Sequence, residues 1–463
     1  MPNPYRRLAA LIASLSAGIL FYSQQTTLDW DEGFHLVAAS LIKAGQRPYV
    51  DFCFPQPWLH AWWNALWLRV LGGGWRGPHA IAALLTCSAI ALTADFIFRR
   101  TGQLTAAVVA ALFVGLNGIV VIFGTKAQAY GAGTFLIVAA FRLAVGRPGL
   151  PRAAVAGCLA GIAAACTLLT APACIVLLLW TAWQRRFSQA AAFLAGIVVG
   201  SLPVLISLVR DPYLAWFNLV EYHVFFRHVG WTGATENDLQ VLASWVDSGQ
   251  ALLLALFAVA GLLFVRKPEL YLAAAMAVAL GAEAAVAHPT FPQYFIFVVP
   301  FLAMPAALGF CEVAARLSLP LRWAVTALTA LLALSLGNSL YDLKENNNTW
   351  DNMESLARKV EQVTPSSGHV LADPPVYFAM RRIPPSGMGF PASHRLELPA
   401  AMAARLHIVP QSQLTRRVQG GEFATVETCK DDEDEIQVLH LPALYSQSAS
   451  IGGCSVYWGF RKN

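Results

Sequence analysis

Long apolar runs, repeated over most of the chain, are the feature that most constrains its fold. A helix needs roughly 17 to 25 apolar residues to cross a bilayer, and we interpret eleven stretches, some of them short, as membrane spans. They cover about 8–22, 79–98, 104–123, 131–145, 153–169, 171–183, 190–209, 250–265, 270–287, 294–311 and 323–340. The predicted fold class is therefore a mostly α, polytopic membrane protein with about 11 transmembrane helices.

Composition excludes several other classes of protein. The 463 residues are 57% hydrophobic and 13% charged, whereas a soluble domain carries about 25% charged residues. A soluble enzyme, a disordered chain and a disulfide scaffold are therefore ruled out. The net charge is +5 with dispersed Lys and Arg, so we expect no nucleic-acid partner.

Positive charges between the spans predict the orientation. With eleven spans, all of these residues fall on one side, which is the cytoplasm by the positive-inside rule: Arg6, Arg7, Arg99, Arg100, Arg147, Arg152, Arg185, Arg186, Arg266, Lys267, Arg316 and Arg322. We expect the first span to be an uncleaved anchor, because no small-x-small cleavage site follows it. The predicted location is the plasma membrane, as in a bacterial inner membrane.

Three long segments then lie outside the cytoplasm. Two are outer loops of a transmembrane domain covering 1–340: the first loop, 23–78, and the second, 210–249. The third is the tail, 341–463, predicted to be a small extracytoplasmic α/β domain. Loops this long between membrane helices are usually functional.

The tail has its own pattern of elements. A helix is predicted from about Trp350 to Val363, followed by a strand over 368–372 and a last strand over 455–459. Cys429 and Cys454 are candidates for a disulfide in an oxidising compartment. No Cys-x-x-Cys or Cys/His spacing typical of a metal site is present in the sequence, and no cofactor is expected.

The first loop opens with Asp29, Asp31 and Glu32, directly after a span. One interpretation is structural, with Asp31 as the N-cap of a helix and Glu32 in its first turn. A helical pattern then runs from Phe34 to about Gly45, and a second, Trp-rich helix follows. Trp at headgroup level is typical of interfacial helices, so the loop is predicted to hold an acidic cluster near the lipid headgroups.

Several short motifs occur in a characteristic order. They are Asp31-Glu32, Gly45-Gln46-Arg47-Pro48-Tyr49-Val50-Asp51, Pro55-Gln56-Pro57-Trp58, Arg99-Arg100, Leu168-Leu169-Thr170-Ala171-Pro172 and His288-Pro289-Thr290-Phe291-Pro292-Gln293-Tyr294. This arrangement resembles the GT-C superfamily of membrane glycosyltransferases, most closely its protein O-mannosyltransferase and aminoarabinose-transferase branch, over roughly 1–340. The chain departs from the pattern at Ala171, where members often carry Lys, and at Gln56, where many show Pro-Pro.

The resemblance implies a glycosyltransferase with a polyprenyl-phosphate-linked sugar as donor. Transfer of the hexosyl or pentosyl group would take place on the extracytoplasmic face with inversion at the anomeric carbon. The acceptor could be a lipid, a glycan or a protein.

The residues themselves suit this chemistry. An acceptor hydroxyl needs a carboxylate base, for which Asp31 is the first candidate and Glu32 the second. The departing phosphate needs cations or hydrogen-bond donors. The candidates for this and for other substrate contacts are Lys126, Arg227, His228, His288, Gln293, Tyr294, His35, Asp51 and Gln56.

Structural interpretations remain open for five of these residues. Lys126 could be an end-of-span lysine that reaches toward the interface. Arg227 and His228 could lie on an ordinary amphipathic helix. His288 could simply end a helix, and Asp51 could cap a turn.

Two functions compete with the transferase. A transporter or lipid flippase would show ionisable residues in mid-span and two related halves, and neither is clear in the sequence. A non-catalytic protein that binds a lipid-linked sugar is the other alternative.

Overall fold

The computed structural model describes residues 4–184, 186–345, 349–429 and 439–461. Arg185, one of the charges used above, lies outside these residues. The described chain forms two compact units. The first unit comprises 1–24, 79–207 and 232–341, and the second comprises 25–78, 208–231 and 342–463.

The chain is predominantly helical. Its first eleven α-helices are α1 (Pro4–Ser23), α2 (Trp30–Lys43), α3 (Leu59–Val70), α4 (Arg76–Thr101), α5 (Leu104–Gly115), α6 (Gly118–Phe123), α7 (Ala129–Ala144), α8 (Leu150–Cys166), α9 (Ala171–Trp183), α10 (Phe187–Arg210) and α11 (Pro212–Trp216). The remaining α-helices among the described residues are α12 (Ala234–Asp247), α13 (Gly249–Val265), α14 (Pro268–Val286), α15 (Val299–Arg316), α16 (Leu321–Glu345), α17 (Trp350–Val363), α18 (Pro374–Ala379), α19 (Ala400–Arg405), α20 (Gln411–Gln419) and α21 (Leu441–Leu444). A π-helical segment covers Phe217–Phe226, and 3₁₀ turns cover Leu168–Thr170, Pro292–Phe297 and Pro391–Arg395.

Many of the first unit's helices are apolar along their length. Among the described residues, five helices have the length and composition to cross a membrane: α4, α10, α14, α15 and α16 over Leu321–Leu343. The bent pair α12–α13 also qualifies if it is one span. Shorter apolar helices cover Leu104–Gly115, Ala129–Ala144, Leu150–Cys166 and Leu168–Trp183. A polytopic, mostly α architecture is thus confirmed, while the count of eleven stays a prediction.

The predicted span 104–123 is divided into α5 and α6. Asn117 caps α6, since its side chain accepts a hydrogen bond from the N–H of Val120. Gln250 binds both sides of the break: it accepts from the N–H of Gly118 at 2.9 Å and donates to the carbonyl of Leu116 at 3.0 Å. The break is stable in apolar surroundings because these backbone groups have partners.

Small residues bring neighbouring helices of the first unit close together. A Cβ atom added to Gly309 of α15 would overlap the carbonyl oxygen of Phe257 in α13, and one added to Gly157 of α8 would overlap that of Phe193 in α10. Small residues allow such close helix packing in membranes, where the lipid gives little hydrophobic drive for helices to associate.

The second unit contains the small α/β domain predicted for the tail. Four strands, β1 (His369–Leu371), β2 (Phe423–Cys429), β3 (Tyr445–Ile451) and β4 (Cys454–Phe460), form a sheet in the order β1-β2-β4-β3. Strands β1 and β2 are parallel and the other pairs antiparallel. The predicted helix and both predicted strands of the tail are confirmed.

A tight hairpin and a disulfide fix the register of the last strands. Gly452 and Gly453, with φ of 58° and 90°, connect β3 to β4. A two-residue hairpin turn of this kind needs a positive φ at both central residues, which glycine adopts without strain. Cys429 and Cys454 are opposite each other on β2 and β4 and form a disulfide. The bond considered from the sequence is therefore present.

Candidate functional site

The acidic cluster lies at the beginning of α2, in the second unit. The side chain of Asp29 accepts a hydrogen bond from the N–H of Glu32 at 2.7 Å and caps the helix. The structural interpretation of Asp31 as the cap was wrong. The side chain of a cap accepts from the N–H two or three residues later, and here Asp29 makes that hydrogen bond. Asp31 instead lies half-buried in the first turn, and Glu32 is fully buried.

Aromatic rings join all three segments of this unit. The ring of Phe390, from the tail, lies 4.9 Å from that of Phe34, 6.4 Å from that of Trp30 and 5.5 Å from that of Tyr222. Trp30 and Phe34 flank Asp31 and Glu32 in α2, and Tyr222 belongs to the π-helical segment. One aromatic cluster therefore packs directly against the acidic turn.

The π-helical segment is attached to the turn after α2 by two polar side chains. The side-chain oxygen of Asn218 accepts from the N–H of Phe54 at 2.9 Å, and its amide donates to the carbonyl of Leu214. The Nε2 atom of His223 donates to the carbonyl of Pro55 at 2.8 Å. Sequence reasoning missed both residues, because their partners lie 164 and 168 positions away along the chain.

Arg227 and His228 follow the π-helical segment directly, and both are half-buried. The positive charge of Arg227 adds to burial in lowering the pKa of His223 to about 4. Arg227 and His228 lie in the same unit as Asp31.

His35 of α2 faces His60 of α3, with ring centroids 5.8 Å apart. Burial lowers the pKa of His35 to about 4, although the charge of Asp29 opposes the shift. Burial and the neighbouring His35 lower the pKa of His60 well below its usual value. Both imidazoles are therefore neutral at pH 7, so His35 offers hydrogen bonding but no positive charge.

The turn between α2 and α3 contains the predicted Asp51 and Gln56. Arg47 donates to the Asp51 carboxylate from its backbone at 2.7 Å and from its guanidinium at 3.3 Å, which lowers the pKa of Asp51. The backbone carbonyl of Gln56 accepts from the hydroxyl of Tyr49 at 2.7 Å. Asp51 thus makes the turn-stabilising contacts considered from the sequence.

Lys126, Gln293 and Tyr294 lie in the first unit and are largely buried. The Lys126 ammonium is 5.4 Å from the ring centroid of Phe123. Gln293 and Tyr294 belong to the 3₁₀ turn that packs against α6 and α7. The structure thus brings the region before α7 into contact with the 3₁₀ turn before α15, although the two are far apart in the sequence.

His288, also in the first unit, pairs with a residue that sequence reasoning missed. Its Nδ1 lies 2.6 Å from Oδ2 of Asp238 in α12, and the N–H of Thr290 donates to Oδ1 of the same carboxylate at 2.6 Å. Asp238 therefore holds the segment around the cis His288–Pro289 bond. Nothing local in the sequence connects residues 50 positions apart.

One group of three side chains in the described part of the chain has the spacing of metal ligands: Glu427, Cys429 and Cys454. Because the two cysteines are joined in a disulfide, their sulfurs cannot bind as thiolates. The group is therefore part of the sheet's structure rather than a metal centre.

Comparison with known proteins identifies the fold. No protein-family model matches the sequence, and no curated protein matches it. Among solved structures, apo ArnT from Cupriavidus metallidurans matches with a TM-score of 0.71 and 15% identity over 98% of both chains. The same protein bound to undecaprenyl phosphate gives 0.68 and 15% over 97% of both chains.

A second enzyme has a related architecture. The Archaeoglobus fulgidus oligosaccharyltransferase, in its apo form, matches with a TM-score of 0.56 and 12% identity, over 93% of this chain and 71% of its own. The long apolar helices, the acidic turn at the start of α2 and the terminal α/β domain occur here in a single chain that aligns with ArnT from end to end. This chain thus has the fold of ArnT, a mostly α, polytopic architecture with a small terminal sheet.

Proposed function

We propose that the protein is an integral membrane glycosyltransferase that moves a sugar from a polyprenyl-phosphate donor to an acceptor on the extracytoplasmic side. One observation carries the proposal. In a fold that aligns with ArnT over 98% of both chains, one compact unit gathers the acidic turn of α2, the π-helical segment and the tail. ArnT has been crystallised with undecaprenyl phosphate, which supports a polyprenyl phosphate as the carrier here.

Asp31 is the proposed general base. Its carboxylate takes the proton of the acceptor hydroxyl, whose oxygen attacks the anomeric carbon from the face opposite the phosphate. The bond between the anomeric carbon and the phosphate oxygen breaks, and its electron pair leaves with the polyprenyl phosphate. The half-buried position of Asp31 suits a base that must meet substrate, whereas Glu32 is fully buried.

The phosphate requires positive charge and hydrogen-bond donors. Arg227 and His228, in the same unit as Asp31, are the proposed phosphate contacts from the second outer segment. Lys126, His288, Gln293 and Tyr294 stay predictions as further donor contacts. His35 would contribute a neutral imidazole, and Asp51 and Gln56 would support the turn beside α2.

The tail supports an extracytoplasmic location for this unit. The disulfide between Cys429 and Cys454 is typical of an oxidising compartment such as the bacterial periplasm. We therefore place Asp31 and the tail on that side of a plasma membrane. The acceptor is a lipid, a glycan or a protein exposed there.

A comparison of cell envelopes tests the function. Cells lacking the gene are complemented with the wild type, with Asp31→Asn or with Asp351→Asn, and envelope lipids and glycans are analysed by mass spectrometry. Asp351 is an exposed acid of α17 and serves as the matched control. One sugar modification should be lost without the gene, restored by the wild type and the control, and not restored by Asp31→Asn.

Binding must be measured alongside transfer. A thermal shift with undecaprenyl phosphate should be the same for wild type and Asp31→Asn, so that loss of transfer reports chemistry rather than folding. Full transfer by Asp31→Asn would remove Asp31 as the base. A flippase would give a different result. Cells lacking the gene would accumulate lipid-linked sugar in the cytoplasmic leaflet, and they would keep every modification when the donor is supplied from outside.

A further inference from the structure

Two carboxylates of the tail connect its sheet to the first turn of α2. The indole N–H of Trp30 donates to Oδ1 of Asp373 at 3.2 Å. The backbone N–H of Asp373 in turn donates to Oε2 of Glu427 at 2.9 Å. Glu427 lies on β2 and is 3% exposed, so this series of hydrogen bonds begins at a buried side chain of the sheet.

The contact between the tail and the first turn of α2 is also tightly packed. Asp373 directly precedes α18, and a Cβ atom on Gly33 of α2 would overlap Pro375 in the first turn of that helix. Phe390 covers Trp30 and Phe34 from the tail side. The polar and apolar contacts therefore act on the same turn of α2, on either side of Asp31.

We propose that Asp373 and Glu427 are positioning residues for Asp31 and act through the indole of Trp30. The inference rests on the proposed function, because it concerns the placement of the same base. Asp31 follows Trp30 in the first turn, where a helix makes few internal hydrogen bonds. Because a displacement of about 1 Å can lower a rate roughly 100-fold, an anchor on the neighbouring side chain bears directly on the reaction.

A double-mutant cycle tests this coupling. Trp30→Phe removes the indole donor and keeps an aromatic ring, while Asp373→Ala removes the acceptor. We expect each change to lower kcat roughly 10- to 100-fold, with KM for the undecaprenyl-phosphate sugar that supports transfer changing less than about threefold. The double variant should be no slower than the slower single variant, because both changes remove one shared hydrogen bond.

Conservative variants separate positioning from folding. Asp373→Asn keeps an Oδ1 acceptor for Trp30 and should restore kcat to within a few-fold of the wild type. Glu427→Gln keeps an acceptor for the Asp373 N–H and should do the same, whereas Glu427→Leu should behave like Asp373→Ala. Asp351→Ala, an exposed acid in the same unit, should leave kcat and KM unchanged. All variants are compared at equal purified amount and after confirming an unchanged unfolding midpoint.

The outcomes distinguish this inference from the function itself. Wild-type kcat in Trp30→Phe or Asp373→Ala, or losses that multiply in the double variant, would overturn the positioning role while an inactive Asp31→Asn still supports the base. An active Asp31→Asn would overturn both. Should Asp373→Ala lower the unfolding midpoint, Asp373→Asn and Trp30→Phe decide the matter, since full activity in Trp30→Phe alone excludes the coupling.

Discussion

Four histidines of the second unit occupy surroundings that oppose protonation. Burial is the main cause of the lowered pKa at each of His35, His60, His223 and His394. Their neutral rings serve as packing and hydrogen-bonding groups: the Nδ1 atom of His394, for example, donates to the carbonyl of Val409 at 2.6 Å. We therefore expect acid to destabilise this unit.

Stability of the second unit should fall as the pH is lowered from about 6.5 to about 4. His35, His223 and His394 have a pKa of about 4 in the folded chain, against about 6.5 when unfolded. The unfolded chain binds more protons in this window and is favoured there, by on the order of 3 kcal/mol for each histidine. Unfolding midpoints of the purified protein, measured across this range, check the prediction.

His394→Asn provides the specific comparison. Its side-chain amide can still donate to Val409 but does not titrate, so its midpoint should depend less steeply on pH. His440→Asn, at an exposed position in the tail, is the matched control. Equal pH dependence in all three proteins would contradict the assignment.

Individual residues were predictable where their role is local. The acidic turn near residue 30 was found from its composition and its place after a span, but the cap was assigned to Asp31 rather than Asp29. Asp238 was missed because its partner His288 lies 50 residues away. Spacing within one helix indicates a cap or a face, whereas a pairing between distant segments depends on the tertiary fold.

At the scale of elements, the contact between α2 and α18 depends on a glycine. Gly33→Ala should lower the free energy of unfolding of the second unit by about 1 to 3 kcal/mol, because the added methyl group must displace Pro375. Gly18→Ala, in α1, has open space at the same atom and should be nearly neutral. Chemical denaturation of the purified variants measures both changes in the free energy of unfolding. Equal stability of the two variants would show that Pro375 can move to accommodate the methyl group at no cost.

The disulfide stabilises the paired strands β2 and β4. It joins residues separated by 25 positions, and closing a loop of that length in the unfolded chain contributes about 3 kcal/mol. The double variant Cys429→Ser with Cys454→Ser should lose about that much, and reduction of the wild type should have the same effect. Cys158→Ser, which removes a cysteine outside any disulfide, is the control. Identical midpoints in oxidised and reduced protein would refute the contribution.

Elements were predictable where the features that define them are local. The helix Trp350–Val363 matches its prediction because its apolar spacing and its Thr349 cap are local features. The span expected over 104–123 is interrupted because Gln250, from another helix, satisfies the backbone there. A hydropathy pattern cannot register a polar partner contributed by a distant residue.

For the complete chain, the membrane topology is constrained by the fact that three separate segments form the second unit. Its segments 25–78, 208–231 and 342–463 form one compact unit, so we expect them to lie on the same side of the membrane. The intervening segments must then each cross an even number of times. The six spans predicted between 79 and 209 and the four between 250 and 340 satisfy this condition.

Reporter fusions test the resulting orientation. Alkaline phosphatase, which is active only outside the cytoplasm, should be active when fused to the end of the tail and inactive when fused after Leu319. Green fluorescent protein should give the opposite pattern. The reverse result would place Asp31 in the cytoplasm and contradict an extracytoplasmic transferase.

The hydrogen bond between Trp30 and Asp373 also has a consequence for biogenesis. The two residues are 343 positions apart, so Trp30 leaves the ribosome long before its partner exists. The first turn of α2 therefore reaches its final arrangement only after the intervening helices and the first part of the tail have been synthesised. A nascent chain halfway through translation holds the acidic turn without this hydrogen bond, so the proposed transferase would become active only after the tail has been synthesised.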